Sequence, residues 1–169
     1  MAINDDYVIN LFSRYRSKGI LIDTNLLLLH FIGKYDPRRI VSFERTRSRA
    51  FTVEDFILLE SIFAYFDKVI TTPNILTEVS NLSGKLSSDE RPIYHQEFAR
   101  QVALLGEEYN KSAVVCSYAH FKQFGLTDSG IIKIVKDKYL VLTDDGPLYG
   151  YLQSVGIDTI NFNHVRFMG

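Results

Sequence analysis

Two apolar runs in this chain end in acid. ILIDTN (residues 20–25) passes from Ile, Leu and Ile into Asp23, and LVLTDDG (140–146) passes from Leu, Val and Leu through Thr143 into Asp144 and Asp145. Runs of this kind are strands made for burial, whereas a carboxylate must be solvated, paired or bound to a cation. Two further acids lie in stretches of helical character, Glu78 in TPNILTEVSNL (72–82) and Asp128 in GLTDSGII (125–132). Gathered in one place, these carboxylates repel one another and partly protonate unless a cation compensates them. Oxygen donors without Cys or clustered His favour Mg2+ or Mn2+ over zinc. Such an ion can activate water and stabilise the leaving oxygen of a phosphodiester, so the chemistry suggested is hydrolysis of nucleic acid. Taken singly, each acid has a plainer reading: Asp23 and Asp128 as helix caps, Glu78 as a solvated helix residue, and Asp144–Asp145–Gly146 as a turn. The set is more specific than any member.

Whether these residues meet depends on the elements that carry them. GILID (19–23), DKVIT (67–71), KYLVLT (138–143) and DTINF (158–162) read as short strands. Helical spacing predicts an N-terminal helix over 5–17, a Leu-rich helix from residue 24 that Gly33 can end, and a helix behind the capping pattern of Thr52 and Asp55. Thr72 before Pro73 starts another helix, a long one is expected near 90–109, and one near 112–123 ends at Gly125. Thr127 or Asp128 then caps a further helix, and the last runs from Gly146. Alternating strands and helices predict an α/β protein, a three-layer α/β/α sandwich with a short, mainly parallel central sheet. Ligands of such sheets bind beyond the carboxyl ends of the strands, where strand order reverses, and Asp23 and the Asp144–Asp145 pair fall at such ends.

The remaining composition narrows the classes. A length of 169 residues suits one core, and 46% hydrophobic with 23% charged residues is ordinary for a globular chain. Nineteen basic and twenty acidic residues give a net charge of −1, so a nucleic-acid partner would have to be held by a local patch. The single cysteine, Cys116, excludes an intramolecular disulfide, suits a reducing compartment and reads as a small core residue. The acidic start MAINDDYVIN is unlike a secretory signal, and LLLLHFIG is far shorter than the roughly 18 apolar residues of a membrane span, so a cytoplasmic protein with no membrane partner is expected. No GxxxxGK[ST] or GxGxxG pattern occurs, and His30, His95, His120 and His164 lack metal-binding spacing and read as structural or surface residues.

In their order and context, the four acidic stretches resemble the motifs of the PIN domain family. The resemblance runs from about residue 19 to residue 162. It implies a Rossmann-like sandwich and a Mg2+- or Mn2+-dependent endoribonuclease acting on single-stranded RNA, with DNA as another candidate. Carried across, it makes Asp23, Glu78, Asp128 and Asp145 the catalytic, metal-holding acids. Asp144 is a further candidate ligand, and Asn25 and Thr143 are polar supports. The Thr-x-Asp spacing of the last motif selects Asp145 over Asp144 for the catalytic place. The third motif, commonly Asp-Ala, here reads Asp128–Ser129. The resemblance admits a homodimer, and an inhibitor or antitoxin protein, as partners. About eighteen residues ahead of the first strand and a basic insertion at about 34–50 set this chain apart from the compact toxin members. Residues 1–169 would form a single PIN-like domain.

The insertion, KYDPRRIVSFERTRSRA, reads as a loop or arm. Its Arg38, Arg39, Arg45, Arg47 and Arg49 could neutralise RNA phosphates, with Tyr35, Phe43 and Phe51 stacking on unpaired bases. A solvated arm, or a surface for an acidic protein, is the plainer alternative. Two rival functions remain: a non-catalytic PIN-like module that binds RNA or protein, and a haloacid-dehalogenase-like phosphatase. The latter needs a second Asp two residues after the first, where this chain has Asn25.

Overall fold

The computed structural model describes residues 5–166 and, within them, all side chains except those of Asp5 and Arg47. The ends of the expected 1–169 domain therefore lie outside the described residues, as does the side chain of Arg47. Five parallel strands form one sheet: β1 (Ile20–Ile22), β2 (Val69–Thr71), β3 (Gly106–Glu107), β4 (Leu140–Thr143) and β5 (Thr159–Asn161), in the order β3-β2-β1-β4-β5. Helices pack around it in the α/β/α sandwich that the alternation predicts. β1 and β4 are neighbours at the centre, with Ile20 beside Leu140 and Ile22 beside Leu142. Every residue of both is buried, which is why they read as continuous apolar runs and not as alternating ones.

Helix α1 (Asp5–Tyr15) precedes β1, and α2 (Thr24–Tyr35) follows it directly. Leu26 to Leu29 of α2 are all buried, each burial contributing about 2 kcal/mol. Gly33 does not end this helix, which continues to Tyr35. A Cβ on Gly33 would stand 2.3 Å from Cδ2 of Phe56, so the glycine serves the close approach of α4 (Val53–Tyr65). The expected capping box is present: Asp55 N–H donates to Thr52 Oγ1 at 3.2 Å and Thr52 N–H donates to Asp55 Oδ2 at 2.8 Å.

The stretch expected as an arm is folded. A 3-10 turn (Pro37–Arg39) and α3 (Glu44–Ser48) place Ile40, Phe43, Thr46 and Phe51 in the interior. Phe43 and Phe51 therefore cannot stack on bases, and Tyr35 is half-buried with its ring edge against Tyr94. Other boundaries also move. Thr72 and Pro73 do open α5 (Pro73–Ser83), but α6 (Glu90–Val102) stops early and is followed by β3, a strand too short to leave a pattern. α7 (Ser112–Cys116) is a single short helix, and Cys116 is exposed instead of serving the core. α8 (Phe121–Val135) is two helical segments meeting at Gly125, whose φ of 70° is not helical, so the helical run does break at this glycine as expected. α9 (Gly146–Ser154) and α10 (Phe162–Val165) are the last helices among the described residues. No helix among the described residues is long and apolar enough to cross a membrane.

Candidate active site

From β1 the strands run outward to β2 and β3, and the chain then crosses back to lay β4 and β5 on the other side. The reversal between β1 and β4 leaves a crevice at their carboxyl ends. There the structure has a cleft of about 470 Å³ whose lining includes Asp23, Asn25, Glu78, Asp128 and Asp145, together with Arg45 and Arg49. Four acids from four separate elements thus reach one space.

Asp23 caps α2, its Oδ1 accepting from Leu26 N–H at 2.9 Å. Its Oδ2 accepts from the Thr143 hydroxyl and, at 3.0 Å, from Asp144 N–H. Three donors favour the charged form, yet burial and the neighbouring Asp144 carboxylate outweigh them and push the Asp23 pKa up to about 8. Thr143 also accepts from Asp145 N–H at 3.0 Å, so one hydroxyl orients the ends of both central strands. Asp145 caps α9 through Leu148 N–H at 2.8 Å.

Glu78, in the second turn of α5, is exposed but fixed: Thr24 donates to one oxygen at 2.9 Å and Thr127 to the other at 2.7 Å. The Thr127 hydroxyl is therefore spent on Glu78 and does not cap a helix. The Asp128 side chain has no hydrogen bond or ion pair to another described residue. Its pKa is raised to about 6, first by desolvation and then by the charges of Asp145 and Glu78.

Asp144 plays a different part from the one expected. It is buried, with Asn25 donating to Oδ1 at 3.0 Å and Arg49 Nη1 standing 3.2 Å from Oδ2. Its carboxylate is taken up by those partners and does not line the cleft, which makes it the anchor of Arg49 and not a ligand facing the crevice. The basic residues divide accordingly. Arg38 pairs with Asp36 at 2.9 Å and Arg39 with Glu90 at 3.0 Å, away from the cleft, while Arg45 and Arg49 line it.

The donor chemistry of the cleft suits a hard divalent cation: the acids are all oxygen donors, two of them are held above the usual carboxylate range, and Asn25 Oδ1 is buried without a donor. The acids are nonetheless spread. Among the described residues, no three His, Cys, Asp or Glu side chains stand close enough together to hold an ion. An ion bound here would have to be held by one or two carboxylates and several waters, the habit of magnesium.

The aromatic side of the cleft was missed from sequence. Phe124 lines it, and an apolar residue within a helical run carries no mark that separates core from cleft. Fold and site together define a doubly wound α/β protein with an acidic crevice at its switch point. No protein-family model and no curated protein matches this chain, so the crevice has to be read from its own chemistry.

Proposed function

We propose that this chain is a PIN-like, metal-dependent endoribonuclease that cuts single-stranded RNA in the cytoplasm. The observation supporting this reading is the convergence of Asp23, Glu78, Asp128 and Asp145 on one cleft that two arginines also line. One or two of Asp23, Asp128 and Asp145 would hold Mg2+ or Mn2+ with waters completing its shell, and Glu78 stands at the exposed rim. The bound ion would supply Lewis acidity and an activated water. The protein's own groups do the rest. Thr143 and the Asp144 amide aim Asp23, Thr24 and Thr127 hold Glu78, and Asp144 and Asn25 brace the wall from which Arg49 meets phosphate oxygens. The spread of the carboxylates favours a second reading, a binding module without catalysis.

One assay separates the two. Labelled single-stranded RNA and DNA are incubated with Mg2+, Mn2+ or chelator, and the protein is compared with Asp23→Asn and Asp128→Asn. Cleavage of RNA that requires metal and falls at least about 100-fold in both variants is the expected result. Cleavage that persists in chelator, or that both variants retain, would overturn the proposal; binding without any cleavage would establish the module.

A further inference from the structure

The cleft is not polar all round. Leu82 from α5, Phe124 and Leu126 from α8 and Leu148 from α9 also line it. Phe124 and Leu126 flank Gly125, whose φ of 70° and ψ of −166° interrupt the helix. A Cβ on Gly125 would meet nothing within 4 Å, so the backbone conformation alone calls for glycine and the space in front of it is open. Phe124 is half-buried, its ring tilted against Tyr151 with 4.8 Å between centroids. Packing therefore holds the ring in place before any ligand arrives.

A fixed aromatic ring in the same cleft as two arginines combines the two things an unpaired nucleotide offers, a π-face and a phosphate. A purely apolar ligand would make no use of the guanidinium groups that share the cleft with the ring. A duplex would keep its bases stacked on one another and could not give one to the ring without unstacking it. We infer that Phe124, Gly125 and Leu126 form a base shelf, on which the base of one unpaired nucleotide rests while Arg45 and Arg49 hold its flanking phosphate. The inference rests on the nuclease reading only in placing the nucleic acid at this cleft, and it concerns binding, not bond cleavage.

The test is binding at low salt in chelator, where metal-dependent cleavage cannot contribute. A fluorescein-labelled 12-nucleotide RNA is compared with the same strand carrying abasic sites and with a duplex, on the protein, Phe124→Leu and Phe124→Trp. The intact strand is expected to bind at least about 5-fold tighter than the abasic one, a preference that Phe124→Leu erases and Phe124→Trp restores. In parallel, 2-aminopurine in the strand should be quenched on binding the unaltered protein. Absence of quenching, or an intact-to-abasic ratio unchanged in Phe124→Leu, overturns the shelf. A variant that fails to fold leaves the quenching measurement to decide. If the base preference holds but no RNA is ever cut, the nuclease reading fails and the shelf stands.

Discussion

Asp23 and Asp55 are both buried aspartates at helix N-termini, and their surroundings are opposite. Asp55 completes the cap of α4 and receives the fork of Arg166, whose Nε lies 2.9 Å from Oδ1 while Nη2 bonds Oδ2. Asp23 caps α2 just as well, but its nearest charged neighbour is another carboxylate. The first site is closed electrostatically and belongs to the scaffold. The second, buried beside a carboxylate, holds its proton far above the usual carboxylate range, and ionising it there carries a cost that a cation would relieve and that a purely structural cap has no reason to bear. The arginines divide by place: those of residues 38 and 39 are matched to Asp36 and Glu90 away from the cleft, whereas those of residues 45 and 49 line it, Arg49 being anchored there by Asp144.

The largest effect expected from this contrast is at the closed site. Arg166→Ala leaves Asp55 buried without its cation and should cost about 3 kcal/mol in urea unfolding, most of it regained by adding Asp55→Asn. An effect below about 1 kcal/mol, the value of a surface pair, would erase the distinction.

A moderate effect is expected at the open site. The folded pKa values of Asp23 and Asp128, about 8 and about 6, lie above the roughly 3.9 of an unfolded Asp, so the folded state binds these protons more tightly. Their contribution is full below about pH 4 and is lost as pH rises through 6 and then 8. In chelator, Tm should therefore fall between about pH 5 and pH 9; Asp23→Asn should flatten the fall, and added Mg2+ or Mn2+ should remove it. A Tm profile that metal does not alter would argue against an ion at these acids.

The smallest effect concerns the divided arginines. Arg45→Ala or Arg49→Ala should lower the salt dependence of single-stranded RNA binding by about 0.7 in the log–log slope, and Arg38→Ala should leave it unchanged. Equal slopes for all three would sharpen the picture in the other direction, returning the whole stretch to the role of a solvated surface.

Much of the scaffold could be read locally. β1 and β4 stood out because strands buried on both faces must be apolar throughout, and the caps at Thr52 and Thr72 stood out because only a few side chains can serve an orphan N–H. The basic stretch was harder. Its arginines drew attention from Ile40, Phe43 and Thr46, whose spacing of three was the available sign that one face is buried. Gly125 does interrupt its helical run, but Gly33, which also reads as a helix end, does not, because a glycine that permits close packing looks the same in sequence as one that terminates.

The sequence by itself determined where carboxylates fall relative to strand ends and helix starts, since burial periodicity and capping are properties of neighbouring residues. Only the tertiary structure decided which charge meets which: Arg49 with Asp144, Arg39 with Glu90, Arg166 with Asp55, and the Phe124 ring with the cleft. Those partners lie far apart along the chain, and a charge or a ring takes its role from the groups that folding brings within a few ångströms of it.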